Sequence, residues 1–161
     1  MTRLTHFDEQ GASRMVDVSN KEITDRIAIA HAKITMKPDT FRLVMDKKIQ
    51  KGDVFEVARV AGIMAAKQTF AIIPMCHPLN LTSVKIDYKN NSVDTIEIFS
   101  EVRVTGKTGV EMEAINAASV CAITIYDMCK SVDKEMVISD IHLVKKSGGK
   151  SGTFIFDKNS I

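Results

Sequence analysis

The stretch from Gly109 to Lys130 does most to limit what this chain can become. At about 100° per residue, Ala114, Ala117, Ala118, Cys121, Ala122, Ile125, Met128 and Cys129 fill one broad arc. Glu113, Asn116, Ser119, Thr124, Asp127 and Lys130 share the opposite one. The pattern predicts a long, mostly apolar helix with one polar stripe. Val120, Ile123 and Tyr126 fall inside that stripe, so it should be partly covered. An apolar arc this wide is expected to be buried against a sheet and against a second subunit as well.

Asp127 and Lys130 stand three positions apart, which makes them neighbours on the helix surface, able to share a hydrogen bond or a proton. Such pairs are common and weak on exposed helices. This one is set among small and apolar residues. Glu113 lies on nearly the same meridian as Asp127, but 14 positions away, roughly 21 Å at about 1.5 Å per residue. One compact pocket cannot use both carboxylates of the same helix. If both serve one site, either the ligand is long or the site is assembled from two chains.

The remaining chain supplies the layers around that helix. Residues 1–26 are polar and without a clean period, and are expected to be partly ordered. Within them, Met15 to Ser19 could be a short edge strand or a docking segment. Residues 27–36 read as a strand ended by Lys37-Pro38-Asp39. A short helix follows to about Lys47, and Asp53 is a good N-cap for a second helix from Val54 to Thr69. Pro74 and Pro78 make residues 71–79 an ordered apolar loop. Leu81 to Tyr88 and Thr95 to Thr105 form a hairpin turning at Lys89-Asn90-Asn91, with Ile96, Ile98, Val102 and Val104 on one face. After the long helix come a last strand, Met136 to Val144, and a loop and tail over 145–161 that should be flexible. The order is that of an α+β, ferredoxin-like antiparallel sheet with helices packed on one face.

With 161 residues, 45% hydrophobic and 26% charged, a single domain over 1–161 is sufficient. No run is apolar for long enough to span a membrane, and the first eight residues lack a hydrophobic leader, so a soluble cytoplasmic protein is expected. Three cysteines, Cys76, Cys121 and Cys129, form no CxxC and suit a reducing compartment. A net charge of +2 argues against nucleic acid or an anionic membrane as partner, so any phosphate must be held by a local cluster.

Three local clusters could do so: Lys51-Gly52-Asp53 at a helix start, Thr105-Gly106-Lys107-Thr108-Gly109 before the long helix, and the Gly/Lys/Ser run from Lys145 to Gly152. The last lacks Walker A spacing. Cys76 and His77 are adjacent, so in an extended segment they point to opposite sides, and no other Cys or His lies at zinc spacing. No metal site is read from them; a histidine held rigidly between prolines could equally be a substrate contact. From the residues alone, the chain reads as an oligomeric enzyme for a phosphate-bearing small molecule, with Asp127 and Lys130 as proton-transfer partners.

Six segments taken together resemble the MoaC family, the cyclic pyranopterin monophosphate synthases of molybdenum cofactor biosynthesis. They are Met15 to Ser19, Lys51-Gly52-Asp53, Ile73 to Leu79, Thr105 to Ala114, Thr124 to Lys130 and Lys146 to Gly152. The resemblance runs from about residue 3 to about residue 152. It implies a ferredoxin-like subunit, a homohexamer built as a trimer of dimers, and active sites at the dimer interface. It also implies a lyase reaction, in which 3′,8-cyclo-7,8-dihydroguanosine triphosphate becomes cyclic pyranopterin monophosphate with release of pyrophosphate. By motif position it puts catalytic roles on Asp127, Lys130, Lys51 and Lys146, and substrate contacts on Met75, Cys76, His77, Met112 and Glu113. No cofactor is implied, and a magnesium ion carried by the substrate stays open.

Those roles suit the chemistry. Opening and reclosing a guanine-derived ring needs proton donors and acceptors near neutral pH, which a lysine depressed by neighbouring lysines and a paired carboxylate could supply. Expelling pyrophosphate places negative charge where Lys51, Lys146 and Lys150 could stabilise it. Two rival readings are an RNA-binding ferredoxin-like module, for which exposed aromatics are too few, and a metal-dependent cyclohydrolase using Cys76 and His77.

Overall fold

The computed structural model describes residues 6–8 and 10–157. The first five residues of the expected leaderless start, and residues 158–161 of the expected tail, lie outside the described residues.

The elements run β1 (Thr24–Thr35), α1 (Pro38–Met45), α2 (Val54–Lys67), α3 (Thr69–Ile72), β2 (Ser83–Asn90), β3 (Thr95–Gly106), α4 (Glu111–Cys129), β4 (Val137–Ser147) and β5 (Phe154–Ile155). The sheet order is β2-β3-β1-β4-β5, with every adjacent pair antiparallel. The first four strands with α2 and α4 as crossovers make the ferredoxin-like plan, and β5 extends one edge. The α+β expectation is met.

The long central strand works because its inward positions are small. Ala28, Ala30, Ala32 and Ile34 of β1 are fully buried, as are Ile96, Ile98, Ser100 and Val102 of β3. The alternation follows from the two-residue period of a strand with one covered face. Ser100 in the middle of that face is satisfied because its hydroxyl donates to the Ala114 carbonyl of α4 at 2.6 Å. α4 is gripped from two sides, by the sheet beneath it and by α2 alongside. Gly62 of α2 permits that approach, since a Cβ there would sit 3.0 Å from the Ala117 carbonyl oxygen.

Several boundaries differ from the sequence reading, each for a local reason. All eight residues of α4's apolar arc are at most 6% exposed within the single chain. The width of the arc is therefore explained by sheet plus α2, and a second subunit is not needed to cover it. Glu113, assigned to the polar stripe, is also buried, at 4% exposed. α2 stops at Lys67, and α3 takes up Thr69, whose hydroxyl donates back to the Ala65 carbonyl at 3.0 Å. β2 runs through Asn90, because Asn91 makes the turn with its own side chain, accepting from the backbone N–H groups of Val93, Asp94 and Thr95 at 3.0 Å. β1 begins at Thr24, inside the segment expected to be only partly ordered. β4 continues through Lys145 and Lys146 to Ser147, since pairing with β1 and then β5 extends it past the expected loop start.

Among the described residues, no helix is long and apolar enough to cross a membrane.

Candidate active site

The residues singled out by sequence gather into two clusters, one at each end of α4. At the C-terminal end, Lys130 caps the helix and its ammonium lies 2.6 Å from Asp127 Oδ1. Lys51 arrives from the loop before α2, where Asp53 accepts from the Glu56 backbone N–H and starts that helix. Its Nζ donates to the Asp127 carbonyl oxygen at 2.7 Å and stands 3.6 Å from Asp127 Oδ2. Two cations thus share the negative end of the helix dipole with one carboxylate.

The electrostatics are mutual. The Lys130 hydrogen bond and charge, followed by the charge of Lys51, hold the Asp127 carboxyl below the usual carboxylate range. The same hydrogen bond and charge from Asp127 hold Lys130 above the usual lysine range. This corrects the expectation of a depressed lysine here, because an adjacent carboxylate favours the ammonium form. The resting pair is a carboxylate base beside a charged ammonium.

At the N-terminal end of α4, burial pushes the Glu113 carboxyl up, against its own backbone N–H, which lowers it, and with Glu111 adding to the rise. Burial likewise pushes the Cys76 thiol up, and the charge of Glu113 adds to it, placing the two side chains in one environment. Met112 is 38% exposed beside Glu113, and Met75 is half-buried next to Cys76. The helices that lead into the loop carrying Met75, Cys76 and His77 are tied to α4 by Asn116 Nδ2, which donates to the Ala65 carbonyl of α2 at 2.9 Å and to Thr69 Oγ1 of α3 at 3.1 Å.

His77 Nε2 donates to the Val16 carbonyl at 2.9 Å, so Nε2 carries a proton. Lys107 Nζ donates to the Ser19 carbonyl at 2.7 Å. Met15 to Ser19 is therefore a docked segment rather than an edge strand, held at both ends over the front of the molecule.

Lys146 belongs with this front cluster. It lies on β4 rather than in the glycine loop, 3.5 Å from Glu111 Oε1, and it donates to Ser151 Oγ. Lys146 and Glu113 are thus assembled at one end of α4, and Asp127, Lys130 and Lys51 at the other. Within one chain the two groups are separated by the body of α4, about 21 Å from the spacing of Glu113 and Asp127.

Glu111 was not singled out by the sequence, because nothing in its local pattern reveals that its carboxylate meets a lysine on β4. The open face of the sheet carries a different concavity, lined by His31, Phe99, His142 and Phe156, and none of the expected site residues. Among the described residues, no three His, Cys, Asp or Glu side chains are grouped to hold a metal ion.

Residues 15–149 match the model of the MoaC family. A protein of Desulforapulum autotrophicum named cyclic pyranopterin monophosphate synthase is 56% identical over 159 residues, covering 98% of each chain. Another of that name from Heliobacterium modesticaldum is 60% identical over 156 residues, covering 96% of this chain and 98% of its own. A third, from Desulfitobacterium hafniense, is 60% identical over 152 residues, covering 94% and 93%.

Proposed function

The chain belongs to the MoaC family, and on that premise we propose that it is a cyclic pyranopterin monophosphate synthase of molybdenum cofactor biosynthesis. As a lyase, it converts 3′,8-cyclo-7,8-dihydroguanosine triphosphate into cyclic pyranopterin monophosphate and pyrophosphate. The observation that carries this reading is the Asp127 carboxylate bracketed by the ammonium groups of Lys130 and Lys51. A carboxylate held ionised accepts a proton from the guanine-derived ring, and an adjacent ammonium returns one or neutralises charge as the ring opens and recloses.

In this proposal Asp127, Lys130, Lys51 and Lys146 are catalytic, and Met75, Cys76, His77, Met112 and Glu113 bind substrate. Glu113, its carboxyl raised by burial, donates a hydrogen bond to the heterocycle more readily than an exposed glutamate would. Each active site combines the rear cluster of one subunit with the front cluster of another, and three such dimers form a hexamer. Support for an assembly comes from the outer face of α2, where Val57, Val60 and Met64 stand 44–56% exposed at i, i+3 and i+7, and from Ile123 of α4, which is 55% exposed. The enzyme needs no resident cofactor, and magnesium enters only with the triphosphate. It works in the cytoplasm, consistent with three cysteines that form no disulfide. Similarity to synthases over nearly the full length favours this reading over the RNA-binding and metal-cyclohydrolase alternatives.

Incubating the purified protein with the cyclised triphosphate tests this directly. Pyrophosphate and an oxidisable, fluorescent pterin should appear in equal amounts. Release of pyrophosphate without a pterin product would overturn the reading.

A further inference from the structure

The outer face of the sheet, on the side away from α2 and α4, holds a cavity of about 750 Å³ that contains no residue of either cluster. A row of four rings crosses it. Phe99 of β3 meets His31 of β1, His31 meets His142 of β4, and His142 meets Phe156 just after β5, with centroids 5.0, 5.1 and 4.4 Å apart. The last ring is pinned because the Phe156 N–H donates to the Val144 carbonyl at 2.9 Å.

A bulge sets the two histidines. His142 pairs with His31 and Ser139 with Lys33, so two residues of β4, Asp140 and Ile141, stand opposite the single residue Ala32. Asp140 takes φ +53°, where residues other than glycine are uncommon, and its carbonyl accepts from both rings, from His31 Nδ1 at 2.9 Å and His142 Nδ1 at 2.8 Å. Its carboxylate pairs with Lys33 at 2.6 Å. A carbonyl only accepts, so both Nδ1 atoms carry protons, and in the neutral ring Nε2 is then an acceptor. His31 is only 8% exposed, and its Nε2 stands 3.8 Å from Glu97 Oε1, too far for a hydrogen bond between them. Two acceptors at that spacing suit a ligand edge that carries neighbouring N–H donors.

We infer that this cavity binds a flat heterocycle through the 2-amino-4-oxopyrimidine edge that guanine and pterins share. The N–H groups of that edge donate to Glu97 and His31, and the ring system packs on the row of side-chain rings. The volume suits one such ring and its substituent. Adenine is rejected, because it presents an acceptor where guanine presents its N1–H. The inference does not depend on the synthase reading, since no residue of the proposed reaction takes part in it.

The test is calorimetric titration of the intact protein with guanosine and, separately, with neopterin. At least one should bind, and the tighter of the two identifies the source of the edge. Inosine and lumazine, which lack the 2-amino group, should bind at least about tenfold more weakly than their amino counterparts. Glu97→Gln and Phe156→Ala should each weaken binding roughly tenfold, with kcat and KM for the cyclised triphosphate unchanged. Thermal melting checks that both variants are folded, and the comparison of amino with deamino rings needs no variant. Binding of neither ring, equal binding of amino and deamino rings, or wild-type affinity in folded Glu97→Gln would overturn the inference. So would a KM that rises in step with the lost affinity, because the rings would then be occupying the reacting site. The titrations need no turnover, so a protein that binds these rings as expected and leaves the triphosphate untouched would sink the synthase reading alone.

Discussion

Two neighbours set the charge state of Asp127. Because Lys130 and Lys51 favour its ionised form, whatever stability its charge contributes is present above the ordinary carboxylate pKa and fades as pH falls through the lowered one. For Lys130 the sign is opposite. Its contribution is full below the ordinary lysine pKa and fades as pH rises through the raised one. Between those limits the pair keeps both charges. Asp127→Asn removes the proposed base but keeps the shape, so turnover should drop at least about a hundredfold while thermal melting hardly moves. In the same variant, Lys130 should titrate at lower pH than in the wild type, which NMR of its ε-methylene reads directly. Near-normal turnover would remove Asp127 from the chemistry, and an unmoved Lys130 titration would remove the coupling.

Among the elements, the contact between α2 and α4 is the most sensitive to volume. Gly62 lies against the Ala117 carbonyl oxygen, Ile86 and Cys121, all within 3.4 Å of where its Cβ would be. Gly62→Val should therefore destabilise the protein by about 1–3 kcal/mol in denaturant unfolding, although valine is the better helix former. α1 depends on a distant side chain. Buried Asp133 accepts from the Lys37 N–H at 2.9 Å and the Thr40 hydroxyl at 3.3 Å, and its other oxygen takes the Glu135 N–H at 3.0 Å. Asp133→Ala should cost about 1–3 kcal/mol and loosen hydrogen exchange in α1 first. The long helix, the hairpin and the strand order were legible because periodicity records which face is covered. Which partner covers that face was not: the arc of α4 looks the same whether α2 or another subunit buries it. The same limit hid the Glu111–Lys146 and Lys51–Asp127 contacts, made between residues 35 and 76 positions apart. The Asp127–Lys130 pair was readable because it lies within one helical turn.

For the whole molecule, the decisive feature is that the two clusters stand at opposite ends of one rigid helix. In the proposed arrangement a single chain holds the rear half of one site and the front half of another, so activity should require assembly. Mixing two inactive variants tests this most directly: Asp127→Asn, with an intact front cluster, and Lys146→Ala, with an intact rear cluster. After subunit exchange, half of the dimers in an equal mixture are mixed. Each mixed dimer carries one site with both defects and one with neither. The account predicts recovery to about a quarter of wild-type turnover, from two preparations that are inactive alone. A mixture that exchanges subunits, as mass spectrometry can verify, yet stays as inactive as its components would contradict it.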